Sequence, residues 1–169
     1  GIAALTGPLH GGANQQVVET LRAIGDPQRA AHWCHGMLAR GEKIVGFGHR
    51  VYKTWDPRAR ILAPLARSLA GAAPSTRKLY RTATALEKAV VAELGQTKGI
   101  YPNVDFYSGL VYMALGIPLE LYTPTFAVAR AAGWTARVLE YLSHNRIFRP
   151  RAIYTGPMEK AYVPAAKRG

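Results

Sequence analysis

The chain has 169 residues, with 22 Lys+Arg against 10 Asp+Glu and a formal charge of +12. Hydrophobic residues make up 49%, enough to build a core and to argue against disorder, and no uncharged apolar run is long enough to span a bilayer. One cysteine, Cys34, excludes an internal disulfide framework and a Cys-rich zinc site, while the charge points to anionic partners: nucleic acid, a membrane surface, or phosphorylated and carboxylated small molecules.

The first helix is predicted over residues 14–24, where Val17, Val18, Leu21 and Ile24 recur at helical spacing and Gly25 stops it. Asp26-Pro27 opens a second, with a capping carboxylate followed by proline at the first helical position. It is expected to run to about residue 40, with Ala30, Ala31, Cys34 and Leu38 inward and Gly41 as its stop. Asp56-Pro57 repeats that start before Ile61, Leu62, Leu65, Ala66 and Leu69. A longer helix over 76–94 uses Leu79, Ala83, Leu86, Val90 and Leu94. Residues 104–115 form another, ended by Gly116-Ile117-Pro118. Two more are expected at 124–132 and 135–142, hinged at Gly133, and 43–47 is the only β-like run. The fold class is all-α. From Arg146 onward Pro150, Pro157 and Pro164 preclude a long helix, and this basic tail is either flexible or an arm laid over another surface.

Aspartate is scarce, which makes it readable. Asp26 and Asp56 precede proline and read as caps, whereas Asp105 sits among Tyr101, Val104, Phe106 and Tyr107. A carboxylate in such surroundings is either a base with a shifted pKa or another helix cap, and the residues alone leave both open. His10 lies in Gly7-Pro8-Leu9-His10-Gly11-Gly12, and His49 in Gly46-Phe47-Gly48-His49-Arg50. Glycines beside a histidine allow close approach of a ligand, although a loop histidine bonded to backbone fits equally. His32 and His35 lack further ligands at zinc spacing, so no metal site is expected, and His144 reads as exposed. Gly46-Phe47-Gly48 is not a dinucleotide fingerprint, because no third glycine and no βαβ unit follow. Arg50, Lys53, Arg58 and Arg60 cluster about a helix start, where anions are favoured unless the cluster is only a solvated face. No helix-turn-helix, zinc-finger or RNA-binding pattern supports nucleic acid.

Taken together, Gly7 to Asn14, Gly46-Phe47-Gly48-His49 through Asp56-Pro57-Arg58, and Tyr101-Pro102-Asn103-Val104-Asp105-Phe106 resemble the three signature segments of the citrate synthase family, in the family's order. The likeness continues through Phe126 to Arg130 and Arg149 to Pro157, and looks closest to the shorter bacterial and archaeal members. The resemblance implies condensation of acetyl-CoA with oxaloacetate and hydrolysis of the citryl thioester, with no metal and no cofactor beyond the substrates. It implies Asp105 as base, His10 as stabiliser of the enolate and His49 as the donor to the oxaloacetate carbonyl. It implies Arg58 and Arg130 on substrate carboxylates, Arg149 reaching a partner subunit's site, and Phe126 lining the pocket. Lys53 would meet CoA phosphates and Gly46, Phe47 and Gly48 would embrace the adenine. Residues 1–11 would end a large-domain segment, 12–116 form the small CoA-binding domain and 117–169 return to the large domain. Because the sequence opens at Gly1 within what reads as folded chain, it is expected to be the C-terminal portion of a larger cytoplasmic enzyme. That enzyme would be a homodimer or would need its N-terminal half as a partner, and the chain alone would be inactive. The alternatives are a 2-methylcitrate synthase using propionyl-CoA, citryl-CoA cleavage, and a non-catalytic paralogue or binding module; nucleic acid and membrane are not expected as partners.

Overall fold

Helices dominate the computed structural model, which describes residues 1–5, 11–72 and 74–168. They are α1 (Ala13–Ile24), α2 (Ala30–Ala39), α3 (Pro57–Leu69), α4 (Pro74–Val90), α5 (Gln96–Lys98), α6 (Val104–Ala114) and α7 (Tyr122–Leu142). Their starts follow local chemistry. Asp26 accepts from the Gln28 N–H at 2.8 Å and opens a 3-10 turn, Pro27–Arg29, that leads into α2. Asp56 caps α3 through the Arg58 N–H at 2.9 Å, and Asn103 caps α6 through the Asp105 N–H at 3.0 Å.

Val17, Leu21 and Ile24 of α1 join Ala83, Leu86 and Val90 of α4 and Phe106, Leu110 and Val111 of α6 in one buried cluster. Each such Leu or Val side chain contributes about 1.5–3 kcal/mol on burial. Helix α6 is the pivot, packing against α3, α1 and α4. Its approach to α1 requires Gly109, where a Cβ would lie 2.6 Å from the Asn14 carbonyl oxygen and 2.9 Å from Val18 Cγ2. The cluster draws on residues 17–111, and of α7 only Tyr122 is buried. No helix among the described residues is long and apolar enough to cross a membrane.

Four details differ from the sequence-based expectation. Residues 76–94 are not one α-helix: α4 starts at Pro74 and ends at Val90, a π-helical turn spans Val91–Gly95, and α5 follows. Residues 124–142 are one helix, α7, with no hinge at Gly133. An interior glycine costs only about 1 kcal/mol relative to alanine, too little to break a helix flanked by good formers. Residues 43–47 make no strand but a single bridge between Phe47 and Pro102, because Gly46 and Gly48 at φ +85° and +82° interrupt the extended backbone. Ala31 is exposed, while Ala30 and Cys34 carry the buried stripe of α2.

Two carboxylates, the half-buried Glu87 and the buried Asp56, tie the helices together. The Tyr107 hydroxyl of α6 donates to Glu87 Oε2 of α4. Burial pushes the Glu87 carboxyl above the usual carboxylate range, and the bond from Tyr107 offsets only part of that. Asp56, 1% exposed, also accepts from the Val104 N–H at 3.1 Å, so one carboxylate joins the first turns of α3 and α6. Burial alone would raise it. The hydrogen bonds from the Arg58 side chain and backbone, the Arg58 charge and the Val104 N–H outweigh burial and hold it below the ordinary value.

The two carboxylates make opposite predictions about pH. A raised Glu87 means the folded chain holds that proton more tightly than the unfolded one, so its contribution to stability declines as pH rises above about 4.3. Glu87→Gln keeps an acceptor for Tyr107 and removes the buried charge. Its melting temperature at neutral pH should exceed the parent's, with a flatter profile from mildly acidic to neutral pH; an unchanged profile would refute the assignment. A depressed Asp56 contributes fully above about 3.9 and loses its contribution as pH falls through the folded value. Asp56→Ala should cost roughly 2–4 kcal/mol in urea unfolding, about 1 for the cap and about 1–3 for the orphaned Val104 N–H. A loss below about 1 kcal/mol would mean the carboxylate does not join the two helices.

Candidate active site

Residues 46–48 and 101–103 lie antiparallel and hold the site's backbone. The Gly48 N–H donates to the Tyr101 carbonyl at 2.9 Å, and the Asn103 N–H donates to the Gly46 carbonyl at 2.9 Å. The Asn103 side-chain amide donates to the Gly48 carbonyl at 3.0 Å. Gly46 sits so close to the core that a Cβ would fall 2.7 Å from Val17 Cγ2 and 2.9 Å from Phe106 Cδ2. Phe47 packs on Phe106 with centroids 4.6 Å apart. His49 therefore emerges beside the first turn of α6, which carries Asp105.

The surroundings of His49 assign its tautomer. Nδ1 accepts from the Val51 and Tyr52 N–H groups at 3.1 and 3.2 Å, so the neutral ring carries its proton on Nε2. Nε2 lies 3.2 Å from Nη2 of Arg58. Both atoms are then donors and cannot satisfy each other, so an acceptor placed between them would meet both. Arg58 is held for this by Asp56, which accepts from its Nε at 3.0 Å and its Nη2 at 2.8 Å. Across from it, the Arg130 guanidinium lies 4.9 Å over the Phe126 ring. Phe126 and Arg130 share a face of α7 with Thr123, whose hydroxyl donates to the Gly11 carbonyl at 2.8 Å.

These groups enclose a cavity of about 390 Å³ lined by His49, Arg50, Arg58, Asp105, Phe126 and Arg130. Three guanidinium groups and one imidazole N–H face a single carboxylate there, a donor set suited to a small multiply charged carboxylate. A second cavity of about 540 Å³ shares Gly48 and His49 with the first. Lys43, Lys53 and Lys98 line it together with Phe47, Leu94 and Ile100, which suits a larger ligand with an apolar body and anionic groups.

The candidate residues from the sequence fall into place unevenly. His49, Arg58, Asp105, Phe126 and Arg130 meet on one cavity, and Lys53, Phe47 and Gly48 line the other. Gly46 supports the loop from beneath and lines neither cavity. Arg149 is exposed beyond α7 and reaches neither. His10 lies outside the described residues. His32 and His144 are exposed, and His35 pairs with Glu93 at 3.1 Å. No group of three His, Cys, Asp or Glu side chains among the described residues could hold a metal. The capping role at α6 belongs to Asn103, not to Asp105. Sequence reasoning passed over Asn103, although a capping residue type two positions before Asp105 was a legible sign. It also read Asp56 only as a cap and missed that it orients Arg58.

The family model for the citrate synthase C-terminal domain matches residues 1–151. The chain is 51% identical to a citrate synthase of Synechocystis sp. over 99% of its own length and 42% of that protein. It is 46% identical to one of Thermoplasma acidophilum over 99% of its length and 44% of the relative. Among solved structures, a ternary complex of carboxymethyl coenzyme A and oxaloacetate with the Thermoplasma acidophilum enzyme superposes with a TM-score of 0.85. That match has 46% identity and covers 98% of this chain and 44% of that one. Citrate synthase from Thermotoga maritima superposes with a TM-score of 0.81 at 44% identity, covering 99% of this chain and 45% of that one. The chain thus spans a little under half the length of the relatives it matches, and with nine-tenths of its residues inside the family model it belongs to the citrate synthase family.

Proposed function

We propose that this chain carries the condensing site of an enzyme that joins acetyl-CoA to oxaloacetate, with oxaloacetate in the smaller cavity and CoA in the larger. The observation that carries the reading is the meeting of the two cavities at Gly48 and His49, with Asp105 on the wall of the smaller. The ternary complex of the Thermoplasma acidophilum relative, whose ligands are oxaloacetate and carboxymethyl coenzyme A, supports it.

In this reading Asp105 removes a proton from the acetyl methyl group. A carboxylate with an ordinary pKa of about 3.9 is a poor base for carbon, so the step depends on position and on a donor to the thioester oxygen, the role of His10. The carbanion equivalent attacks the keto carbon of oxaloacetate and forms the new C–C bond. His49 Nε2–H and the adjacent Arg58 donate to the oxygen that becomes an alkoxide. Arg58 and Arg130 hold the carboxylates, and Phe126 walls the pocket. Water then hydrolyses the citryl thioester and releases CoA. Lys53 meets the CoA phosphates and the loop at Gly46, Phe47 and Gly48 receives the adenine. Residues 12–116 act as the small domain that closes on residues 117–169, and closure keeps water out until the bond has formed. Arg149 reaches the active site of a second subunit in a homodimer. Turnover requires the part of the relatives' length that this chain does not span, and the enzyme works in the cytoplasm in the tricarboxylic acid cycle.

The test is release of CoA thiol from acetyl-CoA and oxaloacetate, with the chain alone and with the remainder of the enzyme present. Activity is expected only in the second case; full turnover by the chain alone would refute the requirement. In the active assembly, Asp105→Asn should lower kcat by about 10²–10⁴-fold while oxaloacetate still binds, and undiminished kcat would overturn Asp105 as base. Comparing kcat/KM for acetyl-CoA and propionyl-CoA decides between citrate and 2-methylcitrate synthesis, and acetyl-CoA is expected to be preferred.

A further inference from the structure

A third cavity, of about 340 Å³, opens on another part of the molecule, between the turn Pro27–Arg29 and the first two turns of α4. Arg77, Lys78 and Arg81 line it, and the only carboxylate on its wall is Asp26. That carboxylate is already engaged in capping through the Gln28 N–H. Among the described residues none of the three cations forms an ion pair. Arg77 Nη2 donates to the Gly71 carbonyl at 3.3 Å, a neutral acceptor that fixes the guanidinium without cancelling its charge. The surrounding sequence offers no compensation: residues 57–86 contain six Arg and Lys and no Asp or Glu.

The placement runs against two local electrostatic rules. Arg77 and Arg81 stand four residues apart on one helix face, where like charges oppose the helix. Arg77 closes the first turn of α4, the end at which the helix macrodipole favours negative charge. A solvated face on a stable helix would be built with mixed signs. Three cations around one carboxylate, with no ion pair to any of the three among the described residues, leave an excess of positive charge that an anionic ligand would compensate. Two guanidinium groups offer forked donors that match phosphate oxygens, and the lysine adds a point charge.

We infer that the cavity between the Pro27–Arg29 turn and α4 is a binding site for a small polyphosphate anion, either free diphosphate or the diphosphate of a nucleotide. It is independent of the reading given to the two cavities at His49. It also lies on the helix whose other end, at Val90, lines the larger of those cavities.

Calorimetric titration of the 169-residue chain with inorganic pyrophosphate, and separately with ADP, tests the site at low ionic strength. The parent should bind at least one of the two. The Arg77→Gln/Arg81→Gln variant should bind that ligand about tenfold or more weakly, the equivalent of losing one charge-assisted hydrogen bond. Lys53→Gln, in the cavity assigned to CoA, reports any binding there, and the binding that the double variant loses should survive in it. Without ligand the double variant should melt no lower than the parent, because like-charge repulsion has been removed, and whichever of the two ligands binds should raise the melting temperature of the parent and not of the double variant. Three results would overturn the inference: no binding of either ligand, whether or not a DNA oligonucleotide binds; equal binding by the double variant; or loss of binding in Lys53→Gln with the double variant unaffected.

Discussion

The Asp56 carboxylate is 1% exposed, yet it stays ionised because four hydrogen bonds reach it: the backbone N–H groups of Arg58 and Val104 and two guanidinium nitrogens of Arg58. A buried charge is tolerated only when its lone pairs are occupied in this way. The consequence is geometric. Helix α3 carries Arg58, helix α6 carries Asp105, and the same two oxygen atoms bind the first turn of each. The relative placement of the cationic and carboxylate walls of the smaller cavity therefore rests on one side chain that itself does not line it.

A second constraint acts on the histidine. Pairing of residues 46–48 with 101–103 delivers His49 to the junction of two cavities, and two backbone N–H groups take up its Nδ1 lone pair. The ring is thereby oriented and its proton placed by backbone groups. Facing Nε2 and Arg58 Nη2 toward one point leaves a local deficit of acceptors, and a carbonyl or carboxylate oxygen is the chemistry that fills it. The smaller cavity is rich in guanidinium groups, planar and permanently charged donors that suit short, multiply charged acids. The larger combines apolar walls with lysines, which suits a larger ligand with anionic groups.

The net charge of +12 is consequently not one diffuse field. Arg50, Arg58 and Arg130 converge on the smaller cavity, Lys43, Lys53 and Lys98 on the larger, and Arg77, Lys78 and Arg81 on a third. The segment beyond α7 adds a further group on exposed backbone, Arg149 among them. Cations concentrated in concavities select small anions, whereas a continuous basic face would favour a polymer.

Local signals determined much of the helix pattern from sequence alone. Asp26-Pro27 and Asp56-Pro57 mark starts, Gly25 and Gly116 at positive φ mark stops, and each acts through atoms only a few residues away. His49 and Asp105 were likewise legible as rare chemical groups set among glycines or aromatic rings. Other features left no such mark: the pairing of 46–48 with 101–103 amounts to a single bridge, Phe47 to Pro102, and no strand, and the turn at Val91–Gly95 is π-helical. Asp56 shows the division most clearly. Its proline and its place before an apolar helix explain it fully as a cap, so nothing in the sequence called for a second role. Its bond to Val104 spans 48 positions, and only the packing of α3 on α6 brings that N–H within reach. The sequence by itself determined which side chains could carry the chemistry and where helices begin; the tertiary structure alone decided which of them face one another, because hydrogen bonds and cavities form between atoms that the chain separates and the core brings together.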